Sequence, residues 1–215
     1  MTFLSIRQLS KSYDSHVALH DFSLELSRGE FLSIVGESGS GKSTLLRMIA
    51  GLMTQSDGEV WLDGRLIENP AQKLVPGYDE IKLIHQDYQL FPNSTVEENI
   101  NRPLLQYDAK YRSQRVNRLL TQFGLENYKD RLPRQLSGGQ QQKVAIAQAL
   151  AVEPEVLLLD EPFSHLDAIQ KRKLIFELKE LLKEMGTTVI FVTHDLDDAL
   201  RLTESLLILQ KGKVV

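Results

Sequence analysis

The run Gly36-Glu-Ser-Gly-Ser-Gly-Lys-Ser43 fits the pattern G-x-x-x-x-G-K-[ST] at every fixed position. Residues of these types at this spacing hold phosphate. Glycines let the backbone close round a phosphate chain, amides converge at a helix N-terminus, and the helix dipole favours the anion. Lys42 then reaches the β- and γ-phosphates of a nucleotide, and the Ser43 hydroxyl ligates Mg2+. A second stretch, Val156-Leu-Leu-Leu-Asp-Glu161, supplies what hydrolysis needs in addition. Asp160 can hold Mg2+ and Glu161 can polarise an attacking water. If both lie on a strand they point to opposite sides and do not compete for one ion. By itself an Asp-Glu pair also fits a helix cap followed by a solvated acid; beside the first motif the metal-and-water reading takes over.

A third stretch, Leu136-Ser-Gly-Gly-Gln-Gln-Gln-Lys143, pairs glycines ahead of a helical run over 141–151, yet no phosphate-binding lysine follows them. Such a loop can meet an anion with a hydroxyl, bare backbone and a helix dipole. It needs the cation from elsewhere.

The elements that must position these residues alternate. Strand patterns cover 3–9, 18–26, 31–35, 59–62, 82–85, 156–160, 188–193 and 205–209, separated by turn signals such as Asp63-Gly64 and Lys211-Gly212. A helix over 42–51 follows the phosphate loop. Helical patterns at 95–102 and 109–123 occupy the interval between the fifth and sixth strands. This is an α/β class with a largely parallel sheet and a helical insertion. The soft stretch 66–79, with Pro70, Pro76 and Gly77, carries no assigned role.

Composition bounds the rest. The 215 residues are 42% hydrophobic and 25% charged, with a formal charge of -4, as in an ordinary globular domain without a basic footprint for nucleic acid. Cys is absent, which excludes disulfides, thiolate metal sites and cysteine nucleophiles. No apolar run reaches the roughly 20 residues that span a bilayer, and the N-terminus lacks a signal-peptide plan. Any service to a membrane is expected from outside the lipid.

With these motifs in this order, the chain resembles the nucleotide-binding subunits of ATP-binding cassette (ABC) transporters; Leu136-Ser-Gly-Gly-Gln140 matches that family's signature loop at each residue. The resemblance implies one domain, 1–215, with a P-loop core over about 1–86 and 150–215, an N-terminal antiparallel β region and a helical subdomain over about 87–149. It implies that ATP is held by Gly36, Glu37, Ser38, Gly39, Ser40, Gly41, Lys42, Ser43 and Thr44, with Tyr13 stacked on adenine. It further implies Mg2+ at Ser43, Gln86 and Asp160, catalysis by Glu161, His194 and Lys42, and a crossing loop, Ser164-His-Leu-Asp167, that reaches an opposite subunit. Ser137, Gly138, Gly139 and Gln140 would then bind the γ-phosphate of an ATP held by a second copy, packed head to tail. Taken singly, Tyr13 also fits a surface aromatic, Asp167 a helix N-cap, and His194 a structural histidine at a strand end.

As further partners the resemblance implies transmembrane permease subunits, docked near 86–91, and a solute-binding protein. The place is then the cytoplasmic face of the membrane. Leu90-Phe-Pro92 and Glu161-Pro-Phe-Ser164 are most similar to importers of small polar solutes, and the ending at Val215 leaves no room for the regulatory domain many of them carry. The alternative is a soluble regulatory or assembly ATPase using the same clamp. Lys143 and Gln148 stand where relatives commonly have Arg; Lys143 keeps the charge without the planar fork, and Gln148 loses it.

Overall fold

The computed structural model describes every residue except Ser15, Asn69, Lys73, Val75 and His165. Strands β3 (Phe31–Val35), β7 (Val156–Asp160) and β8 (Thr188–Thr193) read as predominantly apolar runs because they are covered on both faces, as interior strands of a parallel sheet are. With β6 (Ile81–Ile84), β9 (Ser205–Gln210) and β10 (Lys213–Val214) they form one sheet in the order β10-β9-β3-β8-β7-β6, parallel throughout except for β10. A second, antiparallel sheet is ordered β2-β1-β4-β5, from β1 (Thr2–Tyr13), β2 (His16–Ser27), β4 (Asp57–Leu62) and β5 (Arg65–Leu66). The first hairpin is longer than its apolar alternation, which stops at Leu9 and resumes only at Ala18. Its extension carries Tyr13 and His16 to the hairpin end, where they pair. Two-residue strands such as β5 and β10 are too short to show a period.

Two cores share the parallel sheet. Leu157 and Leu159 of β7 face α4 (Gly138–Leu150) and α5 (Ala168–Met185), whereas Val156 and Leu158 face α1 (Lys42–Ile49) and the antiparallel sheet. That split is the strand period of two at work. Between β6 and β7 lie α2 (Val96–Asn101), α3 (Ala109–Phe123) and α4. Thr95 and Glu98 close a capping box on α2, which gives way at Arg102-Pro-Leu104 to a tighter turn, since Pro103 offers no amide donor. Asp108 caps α3 at its start and Gly124, at φ 63, ends it. The stretch 66–79 holds a short turn at Pro70–Gln72 and a bond from the Glu68 amide to the Tyr78 hydroxyl, 2.8 Å. Asn69, Lys73 and Val75 of that stretch fall outside the described residues.

Arg115 of α3 is 7% exposed, and no motif announces it. Its guanidinium donates to the carbonyls of Leu150 (2.6 Å) and Ala151 (3.1 Å) at the end of α4, and pairs with Glu153 at 3.1 Å. It satisfies carbonyls that a helix end leaves open and offsets the negative end of the dipole. Arg115→Ala is expected to cost about 2–4 kcal/mol in urea unfolding, because hydrogen bonds to a charged, buried group are lost together with packing. A change below about 0.5 kcal/mol, the range of a surface substitution, would contradict this role.

Candidate nucleotide site

Strand register assembles the site. Val35 pairs with Thr193 and Asp160 with Val192, so the ends of β3, β8 and β7 arrive together and deliver Gly36, His194 and Glu161 to one edge. Ligands bind at that carboxyl edge in open parallel sheets.

Two glycines of the phosphate loop are fixed by neighbouring backbone. A Cβ on Gly36 would lie 2.2 Å from the Leu209 carbonyl oxygen, and one on Gly41, at φ +103, would lie 2.4 Å from that of Ala18. Gly39, at φ +80, has nothing within 4 Å of such a Cβ. Gly212, between β9 and β10, braces the loop by donating to the Ser40 carbonyl at 3.0 Å.

Lys42 is 5% exposed, and its ammonium donates to the carbonyls of Gly36 (2.7 Å) and Glu37 (2.9 Å). It lies 3.6 Å from Glu161 Oε1, while Glu161 Oε2 is 2.8 Å from His194 Nδ1. A carboxylate only accepts, so Nδ1 donates in this contact, and Nε2, the ring atom left for a phosphate, donates to it when the ring is doubly protonated. The His194 side chain is 62% exposed, unlike a histidine packed into the core. Glu161 does not extend β7. The strand ends at Asp160 and Glu161 turns at φ 45, so the two acids diverge through a left-handed residue, not through strand alternation as the sequence suggests. Such backbone is uncommon outside glycine and concentrates at functional sites.

Asp160 sits behind the loop, 6% exposed, and accepts from the Ser43 hydroxyl at 2.9 Å. Burial pushes its carboxyl above the ordinary range, opposed by that hydrogen bond. Gln86 directs its amide toward Ser164 Oγ at 3.5 Å on the same side. Hydroxyl, carboxylate and carboxamide oxygens are a hard donor set that fits Mg2+. Among the described residues no three His or acidic side chains are grouped to hold an ion. A cation kept by one or two carboxylates and a nucleotide's phosphates needs no such group.

These parts enclose a cleft of about 640 Å³, running from Tyr13 and His16 past Glu37, Ser38, Gly39, Lys42, Ser43 and Thr44 to Gln86, Glu161 and His194. Tyr13 and His16, both lining the cleft, stack on each other at 5.3 Å between ring centroids, and no motif announces His16. Gly36 and Ser40 do not line it. Ser40 is buried with an unpartnered hydroxyl and, like Gly36, sets the loop's shape from behind.

Ser137, Gly139 and Gln140 are elsewhere, on a separate hollow of about 330 Å³ beside α3 and α5. Helix α4 starts at Gly138, three residues earlier than its sequence pattern, because Ser137 is its N-cap and closes a capping box with Gln140. The Ser137 oxygen accepts from the Gln140 amide at 3.4 Å, which leaves its proton free to donate. Gly139 also makes room for α5: a Cβ there would meet Gln170 Oε1 at 2.9 Å. Asp167 caps α5, accepting from the amides of Ile169 and Gln170 at 3.0 Å each. His165 of the crossing loop is outside the described residues. Lys143 keeps contact with Glu177 at 3.3 Å, and Gln148 lines a groove of about 240 Å³ with His85, Tyr88 and Gln89.

A family model described as ABC transporter matches residues 19–164. The chain belongs to the ABC transporter family. It is 45% identical to a spermidine/putrescine import ATP-binding protein of Thermotoga maritima over 99% of this chain and 57% of that protein. It is 42% identical to a probable sulfate/thiosulfate import ATP-binding protein of Chlorella vulgaris, over 98% of this chain and 88% of that one. An Fe(3+) ions import ATP-binding protein of Haemophilus influenzae is 42% identical over 99% and 60%. The chain thus spans about three fifths of the polyamine and iron relatives' length. Among solved structures, a dimeric ATP-binding cassette in a post-hydrolysis state bound to ADP and Pi superposes with a TM-score of 0.87 at 36% identity, covering 98% of this chain and 96% of that one. The fold is therefore the ABC ATPase fold, and this is an ATP-binding cassette domain.

Proposed function

We propose that the domain drives a transporter by ATP hydrolysis in a head-to-tail pair of copies, each ATP lying between one copy's Lys42 cleft and the other's Ser137 loop. The observation that carries this reading is the separation of the two phosphate-binding motifs onto different hollows of one chain. Each copy is half of two sites. The core 1–86 and 150–215 holds the triphosphate, and the helical subdomain 87–149 presents Ser137 to the partner.

Within a closed site, Tyr13 stacks on the base and loop amides from Glu37 to Thr44 face the phosphates. Lys42 offsets their charge, and Ser43, Asp160 and Gln86 hold Mg2+, which when bound neutralises charge on the β- and γ-phosphates. Glu161 orients a water in line, His194 donates to the γ-phosphate, and the partner's Ser137 hydroxyl, Gly138 and Gly139 complete the cage. Positioning and electrostatics supply the catalysis. ATP holds the two faces together and hydrolysis loosens them, which is a stroke a transporter can use.

The groove beside Tyr88 and Gln89 suits a permease subunit. Both residues sit in left-handed backbone, at φ 62 and 48, two and three residues after Gln86. Among the described residues no helix is long and apolar enough to cross a membrane, so lipid contact falls to the permease. Similarity to importers of polyamines, sulfate and iron supports import of a small polar solute, with a solute-binding protein and attachment at the cytoplasmic face; no nucleic acid partner is expected. A tagged copy is expected to capture integral membrane proteins from its host. Gln148→Trp, which fills the groove, should cut that capture by tenfold or more and leave ATPase of the isolated domain within about twofold. ATPase stimulated by ribosomes or nucleic acid, with no membrane capture, would instead establish a soluble regulator.

A further inference from the structure

Lys171 lies on the first turn of α5, four residues beyond Asp167, and points at another element. Its ammonium donates to Asp195 Oδ2 at 2.9 Å and to Asp198 Oδ2 at 2.8 Å, with the Lys171 side chain 20% and the Asp198 side chain 8% exposed. Burial alone would lower the Lys171 pKa, yet the bonds to Asp198 and Asp195 hold it above the ordinary lysine value. Asp195 is not a passive acceptor. Its other oxygen caps α6 (Leu196–Leu202) by accepting from the amides of Asp197 (2.9 Å) and Asp198 (3.3 Å), and its own amide donates to Thr193 Oγ1 at 3.0 Å. The residue held between Thr193 and Asp195 is His194.

We infer that Lys171 is a positioning residue for hydrolysis, clamping the turn that carries His194 to the helix whose start carries Asp167. On the α5 side the tie is as short: the Lys171 amide donates to the Asp167 carbonyl at 2.9 Å. On the α6 side it runs from the ammonium through Asp195 to His194 and on to Glu161. Three acids, Asp195, Asp197 and Asp198, crowd the first turn of α6, and Lys171 bridges two of them, one nearly buried. Without it the buried Asp198 carboxylate is left uncompensated, which costs stability, and the turn loses its tie to α5, which frees it to move. His194 then loses its set relative to Glu161, while the phosphate loop and Tyr13 are untouched.

This inference rests on the proposed ATPase cycle and is tested within it. Steady-state ATPase and equilibrium binding of a fluorescent ATP analogue are measured for wild type, Lys171→Met, Lys171→Arg and Lys171→Met/Asp198→Asn. Lys171→Met should lower kcat about tenfold or more with nucleotide affinity within about twofold, and Lys171→Arg should recover most of it, since the charge and both bonds can be remade. Removing the stranded charge in Lys171→Met/Asp198→Asn should restore the thermal midpoint but not kcat. Wild-type kcat in Lys171→Met, full recovery in the double variant, or a loss confined to nucleotide affinity would each overturn the positioning role. A wild type that binds but never hydrolyses ATP would sink the underlying cycle instead, a result distinct from all three.

Discussion

Glu161→Gln is expected to reduce ATP hydrolysis by about 10²–10⁴-fold, the range that a positioned general base contributes, while ATP binding persists. The carboxamide keeps the shape of the side chain, so the loop and the His194 contact survive in outline. What disappears is the negative charge that faces Lys42 at 3.6 Å and can polarise water. Removing an anion beside the triphosphate does not weaken binding, so the variant should stall with ATP in place and accumulate as a dimer. Size-exclusion chromatography at saturating Mg-ATP reads this directly, alongside steady-state phosphate release. Retention of more than a tenth of the activity, or a monomeric elution with ATP bound, would contradict the roles given to Glu161 and to the pair.

Gly41→Ala carries the largest expected effect on the scaffold. Its φ of +103 lies outside what an L side chain accepts, and its Cβ would stand 2.4 Å from the Ala18 carbonyl, a backbone atom with no freedom to move away. Strain and overpacking together suggest a loss of about 2–5 kcal/mol, or roughly 5–15 °C in thermal midpoint for a domain of this size. Because Gly41 directly precedes Lys42, ATP binding should fall at least tenfold as well. Gly39→Ala is the control: at φ +80 it meets no atom within 4 Å, so only the backbone term, about 1 kcal/mol, remains. Equal losses in both variants would mean that loop conformation, not the contact with β2, decides stability.

Much of this was legible because the chemistry is written in short local runs. The strands 31–35, 156–160 and 188–193 are found as read, since an apolar run flanked by turn residues at such length has few other uses. The phosphate loop needs no partner to be recognised, and its Lys42, Ser43, Asp160 and Glu161 come together as their order along α/β units requires. What escaped is of three kinds. Glu161 turns through a left-handed residue, and nothing in Asp-Glu-Pro distinguishes that from a continued strand. Ser137 caps α4 just ahead of a glycine pair, whose poor helix propensity conceals the helix start. Lys171, Asp195 and Asp198 are joined across α5 and α6, and a lysine among the charged residues of a surface helix reads as solvated until the fold shows what it faces. Long-range pairing leaves no period.

The central claim is that ATP is enclosed by Lys42 of one copy and Ser137 of another. The absence of cysteine gives a clean background for testing it. Ser38→Cys and Ser137→Cys are introduced together in the Glu161→Gln chain and treated with a short thiol-specific crosslinker, with and without Mg-ATP. The expected result is a covalent dimer formed only with Mg-ATP, and absent when either cysteine is omitted. A yield independent of nucleotide, or no dimer at saturating Mg-ATP, would contradict the head-to-tail site.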